Sequence, residues 1–285
     1  PDATGSHNYQ FAPGAEFAVH SFSRFDQPPV THLISLPAHK NLKLLADNKK
    51  LTAKLKALSS PTTEFVKIDI GNQVQLDAWC INPPSFDPKK KYPILEQIYA
   101  GPHSAFVPKS FRAFHYPQEM AELGFITVQI DGMGTSQRSK AFHDVCWKNL
   151  GDSGFPDHIA WLKKAAEKYQ YLDLNKVGIY GGSAGGQSST RALFAFGDFY
   201  KVAVSDCGCH DNRMDKVWWN ELWMGYPVGP HYAEQSNVTN AKNLTGKLLL
   251  IVGELDRNVD PASTMQVANA LIKAGNPEMT DEKIA

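Results

Sequence analysis

The chain has 285 residues, 42% of them hydrophobic and 20% charged, and its 29 basic residues balance its 29 acidic residues. A disordered chain would be poorer in apolar residues and more highly charged. A zero net charge without a basic stripe lacks the electrostatic footprint of a nucleic-acid-binding protein, and it argues equally against an acidic membrane surface as a partner. The longest apolar runs, such as residues 248–252, are far too short to cross a membrane.

The first 60 residues predict a small antiparallel sheet followed by a helix. Apolar stretches at 17–20 and 30–36 are separated by proline and polar turns, which is typical of short strands. A lysine-rich helix is predicted over 48–58, and Pro61 ends this region because proline disfavours helix in the residue before it. The predicted domains are therefore 1–60 and 61–285.

Residues beyond 65 alternate between predicted strands and predicted helices. Two of the strands flank Gly71 and Asn72, the pattern of a β-hairpin. The alternation that follows indicates an α/β fold with a mainly parallel central sheet covered on both faces. The predicted strands are 65–70, 74–80, 94–99, 125–130, 176–180, 202–205 and 247–252. The predicted helices are 110–123, 156–169, 186–196, 213–222 and 261–274.

The strongest chemical signal is the run Gly181-Gly182-Ser183-Ala184-Gly185-Gly186, which follows a predicted strand and precedes a predicted helix. This is the context of a G-x-S-x-G nucleophile elbow, in which a sharp turn exposes the serine hydroxyl above the sheet. A phosphate-binding loop would instead need a lysine of the G-K-[ST] type or a G-x-G-x-x-G spacing, and neither is present. The run therefore predicts Ser183 as a nucleophile.

An activated serine needs a base, and the base needs an orienting carboxylate. In this fold the chain order is Ser, then Asp or Glu, then His. Asp256 follows the last predicted strand and fits the acid, while Glu254 and Asp260 lie off the expected position. The other interpretation of Asp256 is a cap for the helix that begins near 261.

The base is harder to place, because all ten histidines precede Asp256. We expect that the sequence is part of a larger protein whose catalytic histidine lies further on. Two alternatives stay open: His210 or His231 replaces it, or the protein is catalytically inactive.

A tetrahedral intermediate also needs hydrogen-bond donors for its oxyanion. One expected donor is the backbone N–H of Ala184, directly after the nucleophile, and a second usually comes from the loop after an earlier strand. Tyr99 ends the strand at 94–99 and offers a phenolic hydroxyl there. Packing of Tyr99 in the core is the open alternative.

No metal and no cofactor is predicted. The four cysteines are too few for a disulfide scaffold, and Cys207 and Cys209 lack the CxxC spacing of redox and zinc motifs. We expect buried free thiols.

Five segments together resemble the dipeptidyl peptidase IV branch of the prolyl oligopeptidase superfamily, in an order and spacing that extend over roughly residues 60–275. The N-terminal residues 7–13 resemble the closing part of that family's β-propeller. The five segments are Tyr99-Ala100-Gly101-Pro102, Asp131-Gly132-Met133-Gly134, Gly181 to Gly186, Trp223-Met224-Gly225 and Gly253 to Val259.

The resemblance implies an α/β-hydrolase domain preceded by the end of a β-propeller. It implies Ser183 as nucleophile, Asp256 as triad acid, and Tyr99 with Ala184 as the oxyanion hole, while Asn258 would bind the substrate backbone. The implied reaction is hydrolysis of a peptide bond after a small or proline residue near a free N-terminus, through an acyl-enzyme, with a peptide as the partner. A periplasmic or secreted location is favoured; a cytoplasmic location and a homodimer stay open.

Two features keep other functions open. Asp215 and Trp219 stand where the family places two tyrosines of its proline pocket, which motivates an esterase or an acylaminoacyl peptidase on the same fold. The missing histidine motivates a third hypothesis, a non-catalytic binding protein on a hydrolase scaffold. Trp218 and Trp219, with Trp223 nearby, are predicted either to line the substrate pocket or to pack in the core.

Overall fold

The structure, a computed structural model, describes residues 3–58, 61–99, 101–151 and 154–275. Its contacts divide the chain into two compact units, one formed by residues 1–61 with 108–119 and the other by 62–107 with 120–285. Ser59 and Ser60, at the predicted boundary, and Ala100, in one of the family-like segments, lie outside the described residues. The assignment of 1–60 to a propeller stays a prediction.

The first unit contains a four-stranded antiparallel sheet in the order β1-β2-β3-β4. The strands at 17–20 and 30–36 are confirmed and are longer than predicted, and two strands that flank them were not predicted. The elements are β1 Ser6–Phe11, β2 Phe17–Arg24, β3 Gln27–Ser35, β4 Lys40–Ala46 and the helix α1 Lys49–Ala57.

The second unit is built on a seven-stranded sheet in the order β11-β10-β9-β7-β8-β6-β5. Strands β8, β7, β9, β10 and β11 are parallel, while β5 and β6 form an antiparallel hairpin that pairs with β8. These strands are β5 Thr63–Asp69, β6 Gln75–Ile81, β7 Tyr92–Gln97, β8 Ile126–Asp131, β9 Leu172–Gly182, β10 Tyr200–Asp206 and β11 Lys247–Ile251. The predicted α/β fold with a mainly parallel sheet is confirmed.

The helices are α2 Tyr116–Glu122, α3 Lys140–His143, α4 Phe155–Lys168, α5 Ala184–Phe196, α6 Val217–Met224, α7 Pro230–Glu234, α8 Asn237–Asn240 and α9 Ala262–Lys273. Two predicted helices start later than expected. Pro117 stands at the second position of α2, and because proline lacks an N–H and crowds the carbonyl four residues earlier, the helix does not extend back to 110. Lys216 has extended backbone, so α6 begins after it and not at 213.

The hairpin between β5 and β6 shows how a local sequence specifies a turn. Gly71 has φ of 106°, a conformation that favours glycine, and its N–H donates to the Asp69 carboxylate at 2.8 Å. The N–H of Ile70 donates to the Val74 carbonyl at 3.0 Å and closes the loop. The predicted hairpin is confirmed.

The core of the second unit lies where α4 and α5 pack against the sheet. Every residue of β8 is buried, as expected of a strand in the interior of a parallel sheet. Helix α4 buries Phe155, His158, Trp161, Leu162 and Ala165, whose spacing of three to four residues places them on one face. Among the described residues, no helix is both long enough and apolar enough to cross a membrane.

Candidate active site

Ser183 occupies the sharp turn between β9 and α5. Its backbone has φ of 59° and ψ of −121°, a conformation that costs free energy for any residue with a side chain. The surrounding backbone holds it there: the Ser183 N–H donates to the Asp206 carbonyl at 2.9 Å, and the Ser183 carbonyl accepts from Gln187 N–H at 3.1 Å. The serine is therefore fixed at the start of α5, with the strain of a nucleophile elbow.

The glycines around Ser183 are required by close backbone approach. A Cβ atom on Gly181 or on Gly185 would lie 2.3 Å from the Ile98 carbonyl oxygen, and one on Gly186 would lie 2.5 Å from the Asp206 carbonyl oxygen. No side chain fits at these distances. The small residues of the elbow thus let β7, β10 and α5 close around the turn.

Ser183 opens into a cavity of about 350 Å³ in the second unit. The structure brings seven of the eight predicted site residues together in its lining: Tyr99, Ser183, Ala184, Asp215, Trp218, Trp219 and Asn258. Four further lining residues were not predicted: His103, Cys209, Lys216 and Val259. The eighth predicted residue, Asp256, does not line the cavity, although Asn258 and Val259 of its own loop do.

The strand order explains why these residues meet. Tyr99 follows β7, Ser183 follows β9, Cys209 follows β10, and Asn258 follows β11, and these four parallel strands are neighbours in the sheet. The carboxyl ends of parallel strands face the same edge, and ligands bind there in open α/β sheets.

Tyr99 is held by aromatic and apolar neighbours. Its ring lies 5.0 Å from the Phe106 ring and 5.6 Å from the His103 ring, and it packs beside Ala184, Cys209 and Val259. Tyr99 therefore both packs and faces the cavity, so the two interpretations of this residue are compatible. Ala184 is the first residue of α5, where a backbone N–H has no partner inside the helix.

The loop after Tyr99 is braced by the Asp131-Gly132-Met133-Gly134 segment. The Asp131 carboxylate, at the end of β8, accepts the N–H groups of Phe106 at 2.7 Å and Val107 at 3.2 Å. Gly132 leaves room for His158, since a Cβ atom there would lie 2.7 Å from the imidazole. This segment thus holds in place the loop that contains the lining residue His103.

Asp256 lies in the loop after β11 and organises it. Its Oδ1 accepts the backbone N–H of Asn258 at 2.7 Å and of Val259 at 3.1 Å. These two hydrogen bonds, with a smaller contribution from the Lys216 ammonium, lower the pKa of Asp256 and keep it ionised. Asp256 does not cap α9, because that helix begins at Ala262 and it is Asp260 that accepts the Ala262 N–H, at 2.9 Å.

Three histidines bear on the identity of the base, and they differ in position. His103 lines the cavity, and desolvation by its surroundings lowers the pKa of its imidazole. His210 is fully buried against Asn237, and burial lowers its pKa to about 3. His231 hydrogen-bonds the Met224 carbonyl through Nε2 at 2.7 Å. Neither His210 nor His231 lines the cavity that contains Ser183.

The tryptophans of α6 differ in whether they line the cavity. Trp219 packs its ring 5.4 Å from His103 and 6.2 Å from Trp218, and both tryptophans line the cavity. Trp223 does not line the cavity; it packs against the small cluster of Leu150, Met224 and Tyr232, and its ring lies 6.1 Å from that of Trp219. The substrate-pocket interpretation therefore fits Trp218 and Trp219, and core packing fits Trp223.

Asp215 and Lys216 form a charged pair in the lining of the cavity. The Lys216 ammonium donates to Asp215 Oδ1 at 3.1 Å and also to the Asn258 carbonyl. The Asp215 side chain is 9% exposed and the Lys216 side chain 26%. A signal for Lys216 was present in the sequence, since it adjoins Asp215, but its contact with the loop after β11 depends on the fold.

In the described part of the chain, no three His, Cys, Asp or Glu side chains are grouped so that they could hold a metal ion. All four cysteines are free. Burial raises the pKa of the Cys209 thiol to about 12, so this lining residue is a neutral, weakly reactive group.

Residues 110–281, more than half of the chain, match the sequence model of the prolyl oligopeptidase family. The chain belongs to this family. The prolyl oligopeptidase model begins ahead of α2 and includes the elbow, α6 and the Asp256 loop, so it covers most of the cavity described above.

Relatives with curated names agree with this membership. A probable dipeptidyl-aminopeptidase B of Arthroderma benhamiae is 28% identical over 276 residues, which are 95% of this chain and 30% of the relative. Dipeptidyl peptidase 8 of Mus musculus is 28% identical over 290 residues, 95% of this chain and 32% of the relative. The chain thus spans about a third of the length of these prolyl oligopeptidase-type relatives.

Solved structures share the fold. Dipeptidyl peptidase 4 of Porphyromonas gingivalis superposes with a TM-score of 0.89 at 27% identity, over 96% of this chain and 39% of that chain. A putative dipeptidyl aminopeptidase IV of Bacteroides ovatus gives a TM-score of 0.84 at 24% identity, over 95% of this chain and 38% of that chain. The α/β-hydrolase architecture inferred from the sequence is confirmed.

Proposed function

We propose that this chain carries the catalytic site of a serine peptidase that cleaves peptide bonds through an acyl-enzyme on Ser183. One observation carries the proposal: the strained Ser183 and the side chains of Tyr99 and Asn258, from three different loops, line the same cavity. Family membership and the names of the relatives support the peptidase class. By analogy with the dipeptidyl peptidases, the proposed substrates are peptides that are cleaved at a bond near their free N-terminus.

The proposed chemistry follows from the positions of the groups. Ser183 Oγ attacks the scissile carbonyl carbon while a base takes its proton. The resulting oxyanion accepts hydrogen bonds from the Tyr99 hydroxyl and the Ala184 N–H, which stabilise the charge as it develops. The amine leaves with the proton, and water then hydrolyses the ester on Ser183 by the reverse sequence.

Asp256 would orient the base and stabilise its charged form. The lowered pKa keeps this carboxylate ionised at neutral pH, as that role requires. The resemblance implies a histidine after Asp256 as the base. The chain spans about a third of the length of its relatives, so the proposal is made for the complete gene product, and the experiment uses it.

The test is labelling of the complete gene product with a fluorophosphonate, which reacts with activated serines, together with hydrolysis of X-Pro and X-Ala chromogenic dipeptides. We expect labelling of the wild type and none of Ser183→Ala. An unlabelled wild type would contradict the proposal.

Two other functions are candidates. The charged Asp215 and the bulky Trp219 in the cavity favour an esterase or acylaminoacyl peptidase, and faster turnover of simple acyl esters than of any dipeptide would support it. A non-catalytic binding protein on the same scaffold is the other candidate, and an unlabelled Ser183 in the complete gene product would support it.

A further inference from the structure

The pair of Asp215 and Lys216 is a charged element inside a cavity that has many aromatic and apolar lining residues. Trp219, Tyr99, Val259 and Cys209 form much of the lining. The Asp215 side chain is only 9% exposed and has lost most of its water, and the Lys216 ammonium donates to its Oδ1 at 3.1 Å. Burying a charged pair costs free energy, and contact with an apolar ring would not offset that cost. The pair therefore argues against an apolar ring as the group that binds here.

Each residue of the pair keeps a group that can form a further hydrogen bond. Within the described residues, Lys216 uses two of its three ammonium protons, on Asp215 Oδ1 and on the Asn258 carbonyl, and Asp215 uses Oδ1 alone. One N–H donor and the Oδ2 acceptor thus remain for another group. They sit on adjacent residues that both line the cavity.

The chemistry of the pair selects among side chains. A basic side chain would meet the Lys216 ammonium, and an acidic one would meet the Asp215 carboxylate. An apolar side chain would exclude water from both charges and return no hydrogen bond. A neutral group that donates and accepts satisfies both partners.

We propose that Asp215 and Lys216 determine specificity by selecting a small amide or hydroxyl side chain (Asn, Gln, Ser or Thr) over proline or alanine at the residue before the scissile bond. This inference rests on the proposed function, because it assigns the side chain that enters the cavity beside Ser183. Lys216 also ties the pair to the loop that contains Asp256, through the Asn258 carbonyl. The selected side chain and the proposed acid loop are therefore linked by one ammonium group.

The test uses the complete gene product and four chromogenic dipeptides that differ only in the residue before the leaving group: Ser, Asn, Ala and Pro. We expect kcat/KM for Ser and Asn to exceed that for Ala and Pro by about tenfold or more, because buried polar groups left unpaired strongly disfavour the analogue that lacks a partner.

The deciding variant is the double substitution Asp215→Leu with Lys216→Met, which removes both charges together and leaves neither one unpaired. We expect it to reverse the order of Pro and Ser. The matched control is Lys164→Met with Glu167→Leu, which removes another Lys–acid pair, at the surface, where the two side chains are 50% and 66% exposed. The control should keep the wild-type order, and thermal unfolding should show that both double variants are folded.

Preference of the wild type for Pro over Ser and Asn would overturn the inference while leaving the peptidase function in place. An unchanged order in the Asp215/Lys216 double variant would overturn it as well. If no dipeptide is cleaved and Ser183 is not labelled, the proposed function fails. Binding of the product dipeptides X-Ser and X-Pro, measured by calorimetry, then tests the selectivity alone, and tighter binding of X-Pro would overturn it.

Discussion

The Ile98 carbonyl oxygen lies 2.3 Å from the position that a Cβ atom would take on Gly185. This approach joins the residue before Tyr99 to the first turn of α5, so the two sides of the proposed oxyanion hole share one backbone contact. The geometry of Tyr99 and Ala184 therefore depends on the absence of a side chain at Gly185.

Gly185→Ala should destabilise the protein, because the new methyl group meets a backbone carbonyl that cannot rotate away. We expect a loss of about 2 kcal/mol in the free energy of unfolding, within the range for overpacking, measured by chemical denaturation. Fluorophosphonate labelling of Ser183 should fall as well. Gly253→Ala is the control, since a Cβ atom there meets nothing within 4 Å; equal destabilisation by both substitutions would contradict the explanation.

Tyr99→Phe should lower kcat by roughly 10²–10³-fold, the effect of removing one oxyanion donor. The ring contacts with Phe106 and His103 do not involve the hydroxyl, so the melting temperature should stay close to that of the wild type. Tyr169→Phe is the control, because its hydroxyl binds Glu64 outside the cavity. A Tyr99→Phe enzyme with wild-type kcat would exclude Tyr99 from the oxyanion hole.

Asp256→Asn should lower kcat by about 10⁴-fold if Asp256 orients and charges the base. The asparagine oxygen can still accept from Asn258 and Val259, so the loop should keep its structure. Asp260→Asn changes a carboxylate four residues away that accepts the Ala262 N–H at the start of α9, and it should leave kcat near wild type. Similar kcat losses in the two variants would argue for a structural effect of charge in this loop.

The same carboxylate predicts a pH effect on stability. The folded pKa of Asp256 is lowered from 3.8 by its backbone hydrogen bonds. The stability contributed by the ionised group is therefore complete above that ordinary value, and it is lost as the pH falls through the lowered one. Denaturation curves of wild type and Asp256→Asn should converge in acid, and a constant difference at every pH would contradict this assignment.

A buried acid on β7 gives a second pH prediction. Glu96 is fully buried, with Oε1 at 2.6 Å from His158 Nδ1 and Oε2 accepting from the Tyr200 hydroxyl at 2.9 Å. Burial alone would lower the pKa of His158, but the Glu96 carboxylate outweighs it and raises the pKa. The charged pair thus stabilises the fold below the ordinary histidine pKa, and this contribution is lost as the pH rises through the raised value.

Glu96→Gln should therefore cost about 3 kcal/mol near pH 6, the scale for breaking a buried ion pair, and less at higher pH. Denaturation of both proteins at several pH values measures the difference. Tyr200→Phe removes one neutral partner of the carboxylate and should cost about 1 kcal/mol without this pH trend. A Glu96→Gln difference that grows with pH would reverse the sign and exclude the charged pair.

Elements with local causes were predictable from the sequence. The elbow at 181–186 needs small residues around one strained serine, and the run of glycines in the sequence states that requirement directly. The hairpin at Gly71 is equally local, since three consecutive residues with positive φ, 71–73, and one Asp69 side chain form its turn. Helix α2 is shorter than its prediction because a proline inside a helix removes a hydrogen bond, and Pro117 is tolerated only in the first turn.

Four lining residues of the cavity were not predictable in the same way. His103, Lys216, Cys209 and Val259 come from three loops, those after β7, β10 and β11, and no spacing along the chain relates these loops. They meet because β9 pairs with both β7 and β10, and β11 pairs with β10, an order that long-range hydrogen bonding and burial establish. Local sequence was thus sufficient for the strained turn at Ser183. The surroundings that would select a substrate depend on which strand ends become neighbours, and a one-dimensional pattern does not contain that information.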